Sequence, residues 1–199
     1  MNKNKNKIEE LLEFQKLIQK ENKNFKINGY NIGTYSFHFI EFYKIIRTLI
    51  INNEFKILEK AIQQGVDLKL EDFKNQNLYF YPITDSINNE NFEKELNKIF
   101  TYLLKKDVDI NQRTINGDNI YHNYWQNSEL YMTFYKYGAD IKNKNNDNES
   151  FEDIVSRMRG QIDVSLAEKI EYNIKKIKEY EDLNLKYKKT NKDKKPSLL

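Results

Sequence analysis

The chain has 199 residues, a formal net charge of +3 and no cysteine, which leaves one domain as the expectation and excludes disulfides and thiolate zinc sites. Aromatic residues reach 14%, enough to build a core despite a mean hydropathy of −0.86, so the composition excludes a disordered chain. The start, MNKNKNKIEELLEF, has no uninterrupted apolar segment and no stretch approaches the roughly 18 apolar residues of a membrane helix, so a cytoplasmic protein without signal peptide or membrane span is expected.

The first predicted element is a helix over KIEELLEFQKLIQKEN, where Ile8, Leu11, Leu12, Phe14, Leu17 and Ile18 recur at helical spacing. Four pairs of segments follow. SFHFIEFYKIIRTLI precedes EFKILEKAIQQ, and YPITDSINN precedes FEKELNKIFTYLLKK. A shorter pair is NIYHNYWQN and ELYMTFYKY. The last is SFEDIVSRM with a long final helix from about Val164 to Tyr187, carrying Ile170, Ile174 and Ile177 on one face. After Leu185 the text becomes KYKKTNKDKKPSLL, which has no core-forming pattern and is expected to be frayed or disordered.

An internal period runs beneath these segments. Gly65-Val66-Asp67-Leu68, Asp107-Val108-Asp109-Ile110 and Gly138-Ala139-Asp140-Ile141 each stand ten residues ahead of Asn75, Gly117 and Asn148, and a fainter copy at Asn24-Phe25-Lys26-Ile27 precedes Gly33. Gly33, Asn75, Gly117 and Asn148 are spaced 42, 42 and 31. All are Gly or Asn, the residues that most readily take a left-handed turn. The only two histidines, His38 and His122, both stand five residues after a glycine of this series. A duplicated structural unit has reason to keep such an offset, and a catalytic pair has none.

The segment LLKKDVDINQRTINGDNIYH resembles the ankyrin repeat: a helix ending in Leu-Leu, a Gly-Ala-Asp-Val-Asn phrase, a turn glycine ten residues later, and an N-cap followed by histidine. Asn119 stands at the Thr position, Ile120 replaces Pro, Tyr121 replaces Leu, and His122 keeps its place. FYKYGADIKNKNNDNESFEDIV is similar, with Ser150 as N-cap, but Asp153 holds the histidine position, as Phe80 does in the second unit. The 42-residue spacings exceed the family's usual 33, which implies longer helices or turns.

The resemblance implies an all-α repeat: an ankyrin-like solenoid of about four helix-hairpin units with an N-terminal capping helix and a long C-terminal capping helix. The single domain would cover 7–185, with a cap at 7–28, units at about 33–66, 75–108, 117–139 and 148–185, and a basic tail at 186–199. It implies that His38 and His122 sit in the first turn of an inner helix and bond locally. It also implies a partner-binding surface of hairpin tips and inner-helix ends. Those positions are Phe73, Lys74 and Gln76; Ile115, Asn116 and Asp118; Asn146, Asp147 and Glu149; and Tyr124, Trp125 and Gln126. Ile115 stands out, because a β-branched residue in a solvent-facing turn has little structural purpose. Trp125 reads equally as filler between repeats or as an interface anchor.

No catalytic residue, metal ligand set or cofactor motif is expected, since there is no Gly-rich phosphate loop, nucleophile elbow, HExxH or carboxylate pair. From Ile174 onward nine lysines face four acids, a net of +5. That excess is local and comes without an arginine fork or a nucleic-acid motif, which argues against nucleic acid as the partner. The expected function is a non-catalytic, monomeric protein-interaction module, by analogy with small ankyrin proteins an immunity protein or antitoxin that masks a toxin. The alternative is binding of nucleic acid or an acidic partner through the lysine-rich tail.

Overall fold

Eight α-helices and no strand occur among the residues described by the structure, a computed structural model covering residues 3–28, 36–81 and 91–192. Helix α1 (Lys3–Asn28) buries Ile8, Leu11 and Ile18 against the hairpin of α2 (Phe37–Ile51) and α3 (Phe55–Gln63). These are the apolar positions the helical spacing selects. Then come a 3-10 turn at Leu78–Phe80 and α4 (Phe92–Lys105). The segment YPITDSINN, expected as a helix, lies outside the described residues except for Tyr81. The chain continues with α5 (Ile120–Asn123), α6 (Tyr131–Lys136), α7 (Phe151–Met158) and α8 (Val164–Lys192).

Side chains start the inner helices. Ser36 accepts from Phe39 N–H, Asn77 from Tyr79 N–H, Asn119 from Tyr121 and His122 N–H, and Ser150 from Asp153 N–H, each satisfying donors that a helix start leaves open. Three outer helices end alike. Val66 N–H returns to the Ala61 carbonyl at 3.0 Å, Val108 N–H to Leu103 at 3.1 Å and Ala139 N–H to Phe134 at 3.0 Å. The residue that makes each turn possible, Gly65, Asp107 or Gly138, has positive φ (99°, 55° and 89°). Two residues after each of these, an aspartate holds the exit: Asp67, Asp109 and Asp140 each accept the N–H two positions later.

Successive units are joined by aromatic packing and by side-chain bonds to the backbone. Tyr79 meets Phe100 edge-on at 4.8 Å, Phe100 stacks on Phe134 at 6.2 Å, and Tyr121 touches both Phe134 and Phe151. The N-cap amides reach forward as well: Asn77 Nδ2 donates to the Asp109 carbonyl at 2.6 Å and Asn119 Nδ2 to that of Asp140 at 2.7 Å. One residue thus starts a helix and fixes the next unit.

Two expectations need correction. The third pair is shorter than the sequence suggests, with four residues in α5 and six in α6. Helix α8 also runs to Lys192, into the segment expected to fray, because 186–192 holds no Pro or Gly to stop it. Residues 193–199 lie outside the described residues.

Candidate functional site

Three turns project from the helical layers at 72–76, 114–118 and 145–149, and they share one construction. In each, the first residue's N–H donates to the fifth residue's carbonyl: Asp72 to Gln76, Thr114 to Asp118 and Asn145 to Glu149, at 3.0, 2.9 and 2.9 Å. The same first residue accepts two N–H bonds on its side-chain oxygen, Asp72 from Lys74 and Gln76, Thr114 from Asn116 and Asp118, and Asn145 from Asp147 and Glu149. The fourth residue closes the turn with a left-handed backbone, at φ 59° for Asn75, 78° for Gly117 and 62° for Asn148. Those three are members of the spaced Gly/Asn series; Gly33 lies outside the described residues.

The turns are tied tip to tip. Ile115 N–H donates to the Lys74 carbonyl and Asn146 N–H to the Asn116 carbonyl, both at 2.9 Å. Asn146 Nδ2 also reaches the Ile115 carbonyl at 2.9 Å, and Asn145 Nδ2 reaches Asp118 Oδ1 at 3.2 Å. Arg113 spans two turns, its Nε on the Gly117 carbonyl at 2.9 Å and its Nη2 on the Lys144 carbonyl. The result is a rigid ledge of main chain.

The expected partner-binding residues divide on this ledge. Ile115 is 44% exposed at its middle. Asn116, Asn146, Asp147 and Gln126 are exposed, and Lys74, Gln76, Asp118 and Glu149 half-buried. Gln76 lies 3.4 Å from Asn123 of α5, and Glu149 is held by Arg157 at 3.0 Å. Two residues do not belong to an open surface. Phe73 is buried, its ring stacked on Phe25 of α1 at 5.1 Å, because the turn at 72–76 is backed by that helix. Tyr124 is buried too, with its hydroxyl donating to the Phe80 carbonyl. Trp125 is half-buried against the core, and its carbonyl accepts from the Tyr131 hydroxyl.

The histidines are not equivalent. His122 is buried in a reciprocal cap: its Nε2 faces the Glu149 carbonyl at 3.1 Å, and its Nδ1 lies 3.3 Å from the Asn119 N–H and 2.5 Å from the Asn119 side-chain oxygen. His38 instead turns back to the Glu21 carboxylate of α1, which also accepts from the Ser36 hydroxyl at 2.6 Å. The cause is a one-residue shift. Asn119, two residues after Gly117, caps α5, whereas Ser36, three residues after Gly33, caps α2. His122 therefore falls on the third helical residue and His38 on the second.

Sequence reasoning missed Asp72, Thr114 and Asn145. Their signal was available, an oxygen-bearing side chain three residues before each turn residue. Asp72 is 2% exposed. Burial pushes its carboxyl above the usual carboxylate range, against the Tyr81 hydroxyl at 2.6 Å and two N–H donors that favour the charged form. Burial likewise raises the Tyr81 hydroxyl, with the Asp72 charge adding to it.

Elsewhere, a cleft of about 470 Å³ between α7 and α8 is lined by Glu152, Val155, Arg159, Glu171, Ile174 and Lys178 among others. Its charges are paired across the helices, Lys178 with Glu152 at 2.7 Å and Arg159 with Glu171 at 3.2 Å. Among the described residues no group of three His, Asp or Glu is placed to hold a metal ion, and no helix is long and apolar enough to cross a membrane. No protein-family model matches the chain, and no curated protein matches it either.

Proposed function

We propose that the chain is an ankyrin-like array that binds a partner protein on the ledge of linked turns and the neighbouring starts and ends of the inner helices. The observation that carries the reading is the exposed Ile115 at the centre of three turns joined by main-chain hydrogen bonds. A ledge fixed before binding loses little conformational entropy when a partner docks, and an apolar side chain held out from it gains by burial. The polar rim of Asn116, Asn146, Asp147 and Gln126 supplies donors and acceptors around that point. A toxin masked by a small stand-alone array is the narrower form of this proposal and rests on the resemblance alone.

Site-specific photocrosslinking tests it. A photoreactive residue replacing Ile115 is expected to trap one discrete protein in cells, while the same residue replacing Leu104, equally exposed on the outer face of α4, traps none. Equal yields from both positions would remove the ledge as the binding surface.

A further inference from the structure

The sequence contains two Asn-Gly pairs, Asn28-Gly29 and Asn116-Gly117. The second stands at the tip of the middle turn of the ledge, with Asn116 exposed and Gly117 buried. Asparagine before glycine is where a peptide chain most readily reacts with itself, because no Cβ on the following residue shields its nitrogen. The Gly117 nitrogen loses its proton to water and bonds to Asn116 Cγ; the Cγ–Nδ2 bond breaks, and Nδ2 leaves as ammonia. The cyclic imide then takes up water at either of its two carbonyl carbons, which gives aspartate or isoaspartate at position 116. Water is the only co-reactant, and nothing is oxidised or reduced.

The turn holds this pair short of reaction. Gly117 N–H donates to the Thr114 carbonyl at 2.8 Å, and Ile115 and Asn116 both keep negative φ, which together define a type I turn with ψ of Asn116 at about 0°. Ring closure instead needs the Gly117 nitrogen rotated round to eclipse Asn116 Cβ, well away from that ψ. The peptide unit that would have to rotate is held at its other end too, since the Asn116 carbonyl accepts from Asn146 N–H at 2.9 Å. Asn116 N–H is held in turn by Thr114 Oγ1 at 3.3 Å. All three bonds belong to the ledge.

We propose that Asn116 is a self-modification site gated by the ledge: it stays an amide while the turns are linked, and converts to aspartate and isoaspartate when they part. The reactive conformation is reached only in the opened turn, so the observed rate is that of the open form multiplied by its population, as in amide hydrogen exchange. Closing the ledge does not undo the change. In the isoaspartate product the main chain runs through Cβ and Cγ and is one carbon longer, and the carbonyl joined to Gly117 is no longer the one that met Asn146 N–H. Both products also put a carboxylate two residues from Asp118. None of this requires a partner on the ledge.

Mass spectrometry of tryptic peptides tests the gate on the full chain, incubated at mildly alkaline pH either folded or unfolded in guanidinium. Asn116 is read from the peptide 114–136 and Asn28 from a separate one, 27–44, with fragmentation placing the change and chromatography separating isoaspartate from aspartate. Asn116 is expected to convert roughly tenfold or more faster in the unfolded chain than in the folded one. Asn146→Pro removes the N–H that holds the Asn116 carbonyl, at the second residue of its own turn, where proline is accepted. With helix content unchanged by circular dichroism, it is expected to convert Asn116 roughly fivefold or more faster than wild type, the worth of one hydrogen bond. If that variant loses helix content, Thr114→Val takes its place, removing the hydroxyl that accepts from Asn116 and Asp118 N–H. Equal rates in the folded and unfolded chain, or no conversion in the unfolded one, overturn the proposal, and so does a folded variant that converts no faster than wild type.

Discussion

The Cβ that Gly117 lacks would lie 2.4 Å from the side-chain oxygen of Asn146 and 2.7 Å from its peptide nitrogen. Asn146 comes this close because its N–H is bonded to the Asn116 carbonyl. Glycine is therefore required twice, by a φ of 78° and by the neighbouring turn. Gly117→Ala is expected to cost about 2–4 kcal/mol, strain and collision together. Gly138→Ala, at φ 89° with nothing within 4 Å of the added carbon, is expected to cost only about 1 kcal/mol, the strain alone. Urea midpoints of the two variants compare them directly, and equal losses would mean that the turns do not press on each other.

Asp72 is the one first residue of the three turns that carries a charge, and Thr114 and Asn145 do the same work neutral. Its folded carboxyl is raised above the unfolded value of about 4 by burial, so the folded state holds the proton more tightly. The stability it contributes is complete below the unfolded value and is lost as pH rises through the folded one. Asp72→Asn keeps an oxygen for the Lys74 and Gln76 N–H groups and removes the buried charge. It is expected to raise stability at pH 7 by about 1 kcal/mol and to leave it unchanged or lower near pH 3. A variant less stable than wild type at pH 7 would show that the Tyr81 hydrogen bond outweighs the burial.

The contrast between these turns and the inner helices shows what a sequence can carry. Asn75, Gly117 and Asn148 were legible because a left-handed backbone restricts residue type, and Ile170, Ile174 and Ile177 because a buried stripe repeats at helical spacing. Phe73 was not, since its burial depends on α1, a helix 45 or more residues earlier in the chain whose placement no local pattern reports. His38 was misread for a narrower reason. Its offset from Gly33 matches that of His122 from Gly117, but a hydrogen bond follows the offset from the N-cap, and α2 starts one residue later. Helix α8 past Leu185 was taken for a tail because core patterning was sought where the backbone needs only helix formers.

The unequal histidines can be separated by stability. His122→Ala removes a buried ring and its bonds to Asn119 and Glu149, and is expected to cost about 1.5–3 kcal/mol. His38→Ala removes a half-exposed contact while Ser36 still satisfies Glu21, and is expected to cost under about 1 kcal/mol. Thermal unfolding of both variants reads the difference. A His38 variant as damaged as the His122 one would restore the two to a common role.

The ledge itself is tested by changing what it displays and not what holds it. Ile115 and Asn116 bond to neighbouring turns through backbone atoms, so Ile115→Asp with Asn116→Ala leaves every one of those hydrogen bonds possible. Folding stability is expected to change by less than about 0.5 kcal/mol. Partner binding is expected to weaken by more than about 2 kcal/mol, because a carboxylate would be buried unpaired where an apolar group had docked. Truncation after Leu185, by contrast, removes 186–199 with its lysines and is expected to leave partner affinity within about tenfold. Titration of the crosslinked partner against both variants separates the sites. If the truncated chain loses binding while the double variant keeps it, the partner is held by the basic end of α8, and the ledge has no part in recognition.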